Sequence, residues 1–345
     1  YFVAIFSPAA IDHHNVQIVL SLGTVLLLAE AEHDPRRAIG AGVLSALMLA
    51  VGMESLPYVA IAGLWCAGTF LIRGERSGPI GFGAGLAVTA ALCFVATVPV
   101  SRWGVAECDA FSAPQLSLAA IGGGGLMLSA LIGGRSIWRR ALPLACVGIL
   151  AGIIAHTFFP QCLDDPYAGV EPRLRTYWLD WIIEAMPVWT VVETRPVTAF
   201  GYYVTPLIAA VWLDINMRRH GVRRIDLLVG LFLVAAILVS FWQVRGSMFA
   251  VPFAVVPLSG WIAEARAAAA TKKNGAVLKM VLVWLVSINL IWAGGAAYVA
   301  GALGMPSTKG VSGAGGPCYS QADYGQLGAL PATNVLAVSN LGAPV

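Results

Sequence analysis

Charged side chains are scarce in this sequence: Asp, Glu, Lys and Arg make up 11% of its 345 residues. Soluble domains carry about 25%, so an ordinary soluble domain is excluded. The formal net charge of only +3 gives no basic surface of the kind a nucleic-acid partner needs. Six cysteines are present, but no Cys-x-x-Cys, which removes the usual redox and zinc spacings. No Asp-x-Asp occurs either. What fills the chain is apolar: 58% hydrophobic residues and a mean hydropathy of +0.78, the composition of an integral membrane protein.

A helix needs about 20 apolar residues to cross roughly 30 Å of hydrocarbon. Such runs recur ten times, near 15–31, 38–54, 56–73, 79–100, 114–134, 140–158, 198–217, 225–244, 247–264 and 276–303. The predicted fold class is therefore an all-α bundle of about ten transmembrane helices, residues 1–304. A Gly- and Pro-rich stretch, Gly313 to Pro317 and Pro331, then precedes the apolar Asn334 to Val338. Residues 305–345 are expected to begin a small outer-face α/β domain. The opening Tyr1 to Phe6, halted at Pro8, reads as the tail of an earlier span, so the chain is expected to be a fragment.

The connections set the orientation. Alternate loops hold Arg36 and Arg37, then Arg73 and Arg76, then Arg135, Arg139 and Arg140. Arg218, Arg219, Arg223 and Arg224 follow, and finally Arg266, Lys272, Lys273 and Lys279. These are fifteen of the 21 Lys and Arg residues. The remaining loops keep Arg102, Arg173, Arg175, Arg195, Arg245 and Lys309. That asymmetry places the first set in the cytoplasm and the second outside, with the C-terminal segment on the outer side. Cys66, Cys93 and Cys146 fall within spans as packing residues. Cys108, Cys162 and Cys318 fall on the outer side, where a disulfide persists. Three pairings are open; Cys108 with Cys162, joining the loops after the fourth and sixth spans, is preferred, although spacing alone selects none.

The polar residues that demand a reason stand on the outer side. Asp12, His13, His14, Asn15 and Gln17 open the first long run, where ionisable groups at membrane depth usually face a cavity, a partner or a substrate path. Asp12 and Asn15 suit a helix cap, yet two adjacent histidines exceed what a cap needs. Glu54 sits in the turn between the second and third spans. His156, Gln161 and Cys162 straddle the end of the sixth. Arg245 is the single cation of a very short outer turn, suited to pair a phosphate by its planar fork. The long loop 160–196 carries Trp178, Trp181, Ile182 and Ala185 at helical spacing, with Asp180 and Glu184 opposite. This predicts an amphipathic helix over 177–189 lying on the outer membrane surface.

The set Ile-Asp-His-His-Asn-Val-Gln at 11–17, Gly-Met-Glu-Ser-Leu-Pro-Tyr at 52–58, Phe-Pro-Gln-Cys-Leu at 159–163 and Gln-Val-Arg-Gly at 243–246 carries a resemblance. It resembles bacterial multi-span proteins of the GT-C glycosyltransferase type, which are distantly similar to the oligosaccharyltransferase catalytic subunit. The resemblance implies a helical membrane bundle, a polyprenyl phosphate or diphosphate sugar as donor, and catalysis on the non-cytoplasmic side. It also implies an acidic base or metal ligand in a first outer loop, which would precede Tyr1. Asp12, His13 and His14 match the second acidic outer motif, near donor phosphate or a divalent cation such as Mg or Mn, with Asp12 and His14 as candidate ligands. Asp12 and Glu54 are then the carboxylates for proton transfer, with His13 and His14 beside them. Asn15, Gln17, His156, Gln161 and Arg245 are the candidate substrate-binding groups. The expected partners are the lipid bilayer and a lipid-linked sugar donor. The rival class is a transporter or a flippase for lipid-linked sugar, in which Gly122 to Gly125 would break the fifth helix; close packing by small residues is the other reading of that run.

Overall fold

The computed structural model describes Phe6 and residues 12–163, 170–177, 179–271 and 275–303. Its elements are α1 (His13–Glu30), α2 (Arg36–Val51), a single turn (Met53–Ser55), α3 (Leu56–Arg73), α4 (Ser77–Thr97), α5 (Ala113–Ile132) and α6 (Ile137–Phe158). Short α7 (Pro172–Tyr177) and α8 (Val188–Thr194) follow, then α9 (Pro196–His220), α10 (Arg224–Trp242), a turn at Val244–Gly246, α11 (Ser247–Ala270), α12 (Ala276–Val286) and α13 (Asn289–Ala302). No strand occurs among the described residues. The predicted domain at 305–345, Cys318 and the start of the chain at Tyr1 lie outside them. The chain divides into compact units 1–296 and 297–345; of the second, the described part continues α13 as helix.

Seven helices are long and apolar enough to cross a membrane, or eight if α12 and α13, bent by 74° at residues 287–288, count as one. The ten expected spans are thus reduced. All ten apolar runs fall on helices, but α2 has only 16 residues, and α1, with 18, opens on His13, His14, Asn15 and Gln17 and is less apolar than the seven. At 1.5 Å per residue α2 reaches about 24 Å, short of the roughly 30 Å hydrocarbon thickness. Both are nonetheless deep in the bundle: Ile18, Leu28, Ala38, Ala41, Met48 and Leu49 are almost completely buried.

Small residues bring these helices together. A Cβ at Gly42 of α2 would strike the Phe82 carbonyl and stand 2.7 Å from the Leu86 amide on α4. One at Gly123 of α5 would lie 2.8 Å from the Gly83 carbonyl of α4. The backbones pack where lipid provides no hydrophobic drive, as membrane helices do through glycine. The glycine run therefore does not break α5; it carries a π-turn at Ala120–Gly124 and packs against α4. An aromatic layer fills the centre, with Tyr58 against Phe249 at 4.2 Å and Phe232 against Phe253 at 5.3 Å between centroids.

The helix ends sort into two sets. At one end, Cys108 and Cys162 are joined by a disulfide with Cα atoms 5.1 Å apart. There Gln115 Nε2 also donates to Met53 Sδ at 3.2 Å, and the Val244 amide donates to the Met186 carbonyl at 2.9 Å. At the other end, Arg224 pairs with Glu75 at 3.2 Å and with Glu32 at 3.6 Å, and Arg140 Nη1 donates to the Phe70 carbonyl at 2.9 Å. Cys66 is buried in the core as expected, whereas Cys146 is exposed on α6, a helix with no fully buried residue.

The surface segment differs from its sequence pattern. Between the end of α7 at Tyr177 and the start of α8 at Val188, the described residues form two single turns, Leu179–Trp181 and Ile183–Ala185, with Ile182 and Met186 extended. The predicted amphipathic helix does not form because Pro187 ends it and tertiary burial of Leu179 overrides the surface register. Trp178, and the side chain of Trp181, lie outside the described residues. The segment is nevertheless anchored by the Met186–Val244 bond.

The α2–α4 contact gives a direct test. Gly42→Ala should destabilise the protein by about 1–3 kcal/mol, because backbone atoms of α4 cannot yield. Gly68→Ala on α3, where a Cβ meets nothing within 4 Å, should leave stability unchanged. Thermal unfolding in detergent of the two variants side by side checks this, and equal transition temperatures would show that the close crossing is not limiting.

Candidate functional site

Asp12 does cap α1. Its backbone is extended (φ −126°, ψ 120°), and its Oδ1 accepts from the His14 amide at 2.9 Å. The same oxygen also takes the His14 ring, Nδ1 to Oδ1 at 2.7 Å. With Nδ1–H donating to the carboxylate, His14 Nε2 carries the lone pair. That nitrogen is buried and has no hydrogen-bond partner, on a residue only 6% exposed. A capping role leaves this atom unexplained. The His13 and His14 rings are tilted against each other by 32° with centroids 4.1 Å apart, and Asn15 sits half-buried in the same turn, its amide donating to the Asp12 carbonyl at 3.3 Å.

One turn further on, fully buried Gln17 reaches across to the turn after α2. Its Nε2 donates to Glu54 Oε2 at 3.2 Å. Gly52 makes this possible, since a Cβ there would collide with Gln17 Nε2 and stand 2.6 Å from Glu54 Oε2. Glu54 Oε1 accepts from Arg245 Nη1 at 2.7 Å, across 191 residues of sequence, and His13 Nε2 stands 3.7 Å from that same oxygen. The Glu54 and Arg245 side chains are 19% and 17% exposed. Arg245 is aimed by the tight Val244–Gly246 turn, where a Cβ at Gly246 would press on the Ser240 backbone at 2.5 Å.

The structure thus brings together Asp12, His13, His14, Gln17, Glu54 and Arg245. It does not bring in His156 or Gln161, which are exposed at the end of α6 and its following turn without contact to the cluster among the described residues. Their shared sequence depth had grouped them with the others, but α6 packs at the periphery of the bundle. Beside Glu54 and Arg245 opens a cavity of about 170 Å³, walled by Pro57, Tyr58, Trp242 and Phe249 and rimmed by Cys108 and Asp109. The disulfide-tethered loop is therefore one wall of the site. Sequence reasoning passed over two residues here. Tyr58, whose buried hydroxyl has no partner, closes the 52–58 motif, but its place at the start of an apolar run gave it no role of its own. Gln115, 2% exposed, stands in a capping box with Ser112, a legible Ser-x-x-Gln pattern.

Asp12, His13 and His14 each offer a ligand atom, all within 4.8 Å of one another. Two imidazoles with one carboxylate suit Mn better than Mg, which prefers an all-oxygen shell. A carboxylate hydrogen-bonded to the far nitrogen of an imidazole is the arrangement that orients metal-bound histidines, so the orphaned His14 Nε2 fits such an ion.

His13, at the first residue of α1 and half-exposed, titrates above its ordinary value. Its pairing with Glu54 at 3.7 Å is the main cause; partial burial opposes it, the nearby Asp12 charge adds to it, and Arg245 subtracts. The sign follows: the pairing is complete below the ordinary imidazole value and is lost as pH rises through the raised one. Glu54→Gln should bring the His13 midpoint back down, measured by NMR of imidazole-labelled protein in micelles with His13→Gln as the assignment control. An unmoved midpoint would remove Glu54 as the cause.

No protein-family model and no curated protein sequence matches the chain. Solved structures do. An archaeal oligosaccharyltransferase, AglB from Archaeoglobus fulgidus in complex with an inhibitory peptide and a dolichol-phosphate, matches with a TM-score of 0.59 and 11% identity. The A. fulgidus oligosaccharyltransferase in its apo form matches with the same score and 13% identity. Each match covers 86% of this chain and 40% of the solved chain, so this chain spans about two fifths of their length. Over that stretch its fold is similar to that of an archaeal oligosaccharyltransferase, the distant likeness that the sequence resemblance implied.

Proposed function

We propose that this chain is the membrane part of a glycosyltransferase that moves a sugar from a polyprenyl-phosphate-type donor to an acceptor on the periplasmic face of a bacterial inner membrane. The observation that carries the reading is the convergence of Asp12, His13, Glu54 and Arg245, of which Glu54 and Arg245 line one apolar-walled cavity. A lipid-linked donor has those two halves, an anionic phosphate and a hydrocarbon tail. The fold likeness supports it, since one solved neighbour holds a dolichol-phosphate. The loop charge asymmetry supports the sidedness, and α1 and α2 would complete the crossing begun by the longer helices.

In this mechanism the departing phosphate oxygen gains negative charge, which Arg245 neutralises from a position fixed by Glu54. Asp12, 28% exposed, takes the acceptor proton while His14 holds its orientation. Glu54, engaged by Arg245 and Gln17, organises the site. His13 and His14 would hold a divalent cation, with Asp12 orienting the His14 ring from its far nitrogen, and that ion would supply Lewis-acid stabilisation of the donor phosphate.

In the full-length protein with a polyprenyl-linked sugar, Asp12→Asn should lower transfer by roughly 10²-fold or more, because shape is kept and charge is lost. Arg245→Lys should give a smaller loss, expressed as weaker donor binding. Undiminished transfer by the Asp12 variant would reduce the motif to a helix cap. The 74° bend between α12 and α13 favours a second reading, a flippase for lipid-linked sugar, and donor translocation without any transfer would establish it.

A further inference from the structure

A second cavity lies between α9, α11 and α12 and runs toward the end of the bundle remote from Arg245. Its volume is about 530 Å³. One stripe of α9 lines it, Val204, Leu207, Val211 and Ile215, at the three- and four-residue spacing of a single helix face. Val211 and Leu207 are 60% and 44% exposed. The floor is a stacked pair of indoles, Trp212 on Trp261, with centroids 4.5 Å apart and planes 14° apart. From Val204 to Ile215 the stripe runs about 17 Å, close to the roughly 15 Å depth of one leaflet's hydrocarbon. One turn beyond it, Arg219 lines the same cavity together with Lys279.

These two cations are unlike their neighbours. Arg218 is held by Asp214 at 2.8 Å, Arg223 by Asp226 at 2.7 Å and Arg224 by Glu75 at 3.2 Å. Arg219 and Lys279 have no carboxylate within reach among the described residues. An apolar channel of leaflet length that ends in two unclaimed positive charges matches an amphiphile with a long chain and an anionic head. We propose that this groove is a binding site for one membrane phospholipid of net negative headgroup, its chain along the α9 stripe over Trp212 and Trp261 and its phosphate between Arg219 and Lys279. Basic pockets between membrane helices select anionic lipid in this way. The site shares no residue with the Asp12–Glu54–Arg245 cluster and does not depend on the proposed transfer reaction.

The indole pair provides the readout. The whole protein is reconstituted in phosphatidylcholine bilayers containing a minor fraction of chain-brominated phosphatidylglycerol or, separately, chain-brominated phosphatidylcholine, and tryptophan quenching is recorded. Phosphatidylglycerol should quench more strongly at equal fraction. Trp212→Phe with Trp261→Phe should abolish that excess. Arg219→Gln and Lys279→Gln should each lower the preference roughly fivefold, whereas Arg219→Lys, which keeps the charge, should retain it. The count of phosphatidylglycerol molecules kept on the protein in native mass spectrometry should fall by one in the double Gln variant. Equal quenching by the two brominated lipids, or an excess that survives loss of both indoles, would overturn the assignment. So would a preference undiminished in the double Gln variant.

Discussion

The contact between Glu54 and Arg245 is the constraint on which the site depends. It joins the turn between α2 and α3 to the turn between α10 and α11, and both side chains are more than four-fifths buried. Within a membrane protein a carboxylate placed this deep requires its counter-charge. Removing either partner of a buried pair costs about 3–5 kcal/mol, chiefly by leaving the other charge uncompensated. Gln17 adds a second donor to the same carboxylate and so carries the constraint to α1, where it fixes the position of Asp12 and both histidines. The two turns tolerate this convergence because Gly52 and Gly246 remove the side chains that would occupy it.

The opposite end is held by a different device. Arg224 stands over the Trp65 ring at 5.5 Å and engages Glu75 and Glu32, while Arg73 approaches both acids. Helices α1, α3, α4 and α10 are thereby tied by ions at that end and by aromatic packing between. A site built on helices clamped in this way is preorganised, the condition under which fixed charges stabilise a developing one. The segment before α9 adds a cover: Val191, Ala199, Tyr203 and Val244 form a small separate core, which seats it on the Arg245 turn.

Much of the site was legible because polar residues are rare in this chain. Asp12, His13, His14, Gln17, Glu54 and Arg245 each interrupt apolar sequence near a helix end, where solvation cost makes them conspicuous. His156 and Gln161 carry the same signal but lie on a peripheral helix, and periodicity contains nothing about which helices are neighbours. Tyr58 escaped for the opposite reason, since an aromatic residue within an apolar run is indistinguishable from packing. The surface helix at 177–189 failed because its hydrophobic spacing describes a free helix, whereas Pro187 and the contact with Val244 divide it into turns.

The sequence alone determined that this is a helical membrane protein, where its helices lie, and that its cations divide between two sets of loops. Those properties follow from local transfer free energies, which add residue by residue. It did not determine which helices clear a bilayer, since α1 and α2 both read as spans, whereas α2 is too short by helical rise and α1 begins on four polar residues. Only the tertiary structure decided that Glu54 meets Arg245, that Gln17 mediates, that His14 Nε2 is left buried and unclaimed, and that the glycine run of α5 serves packing. Such pairings bridge as many as 191 residues, and they are set by which backbones approach closely enough, a property of the assembled bundle that no local pattern encodes.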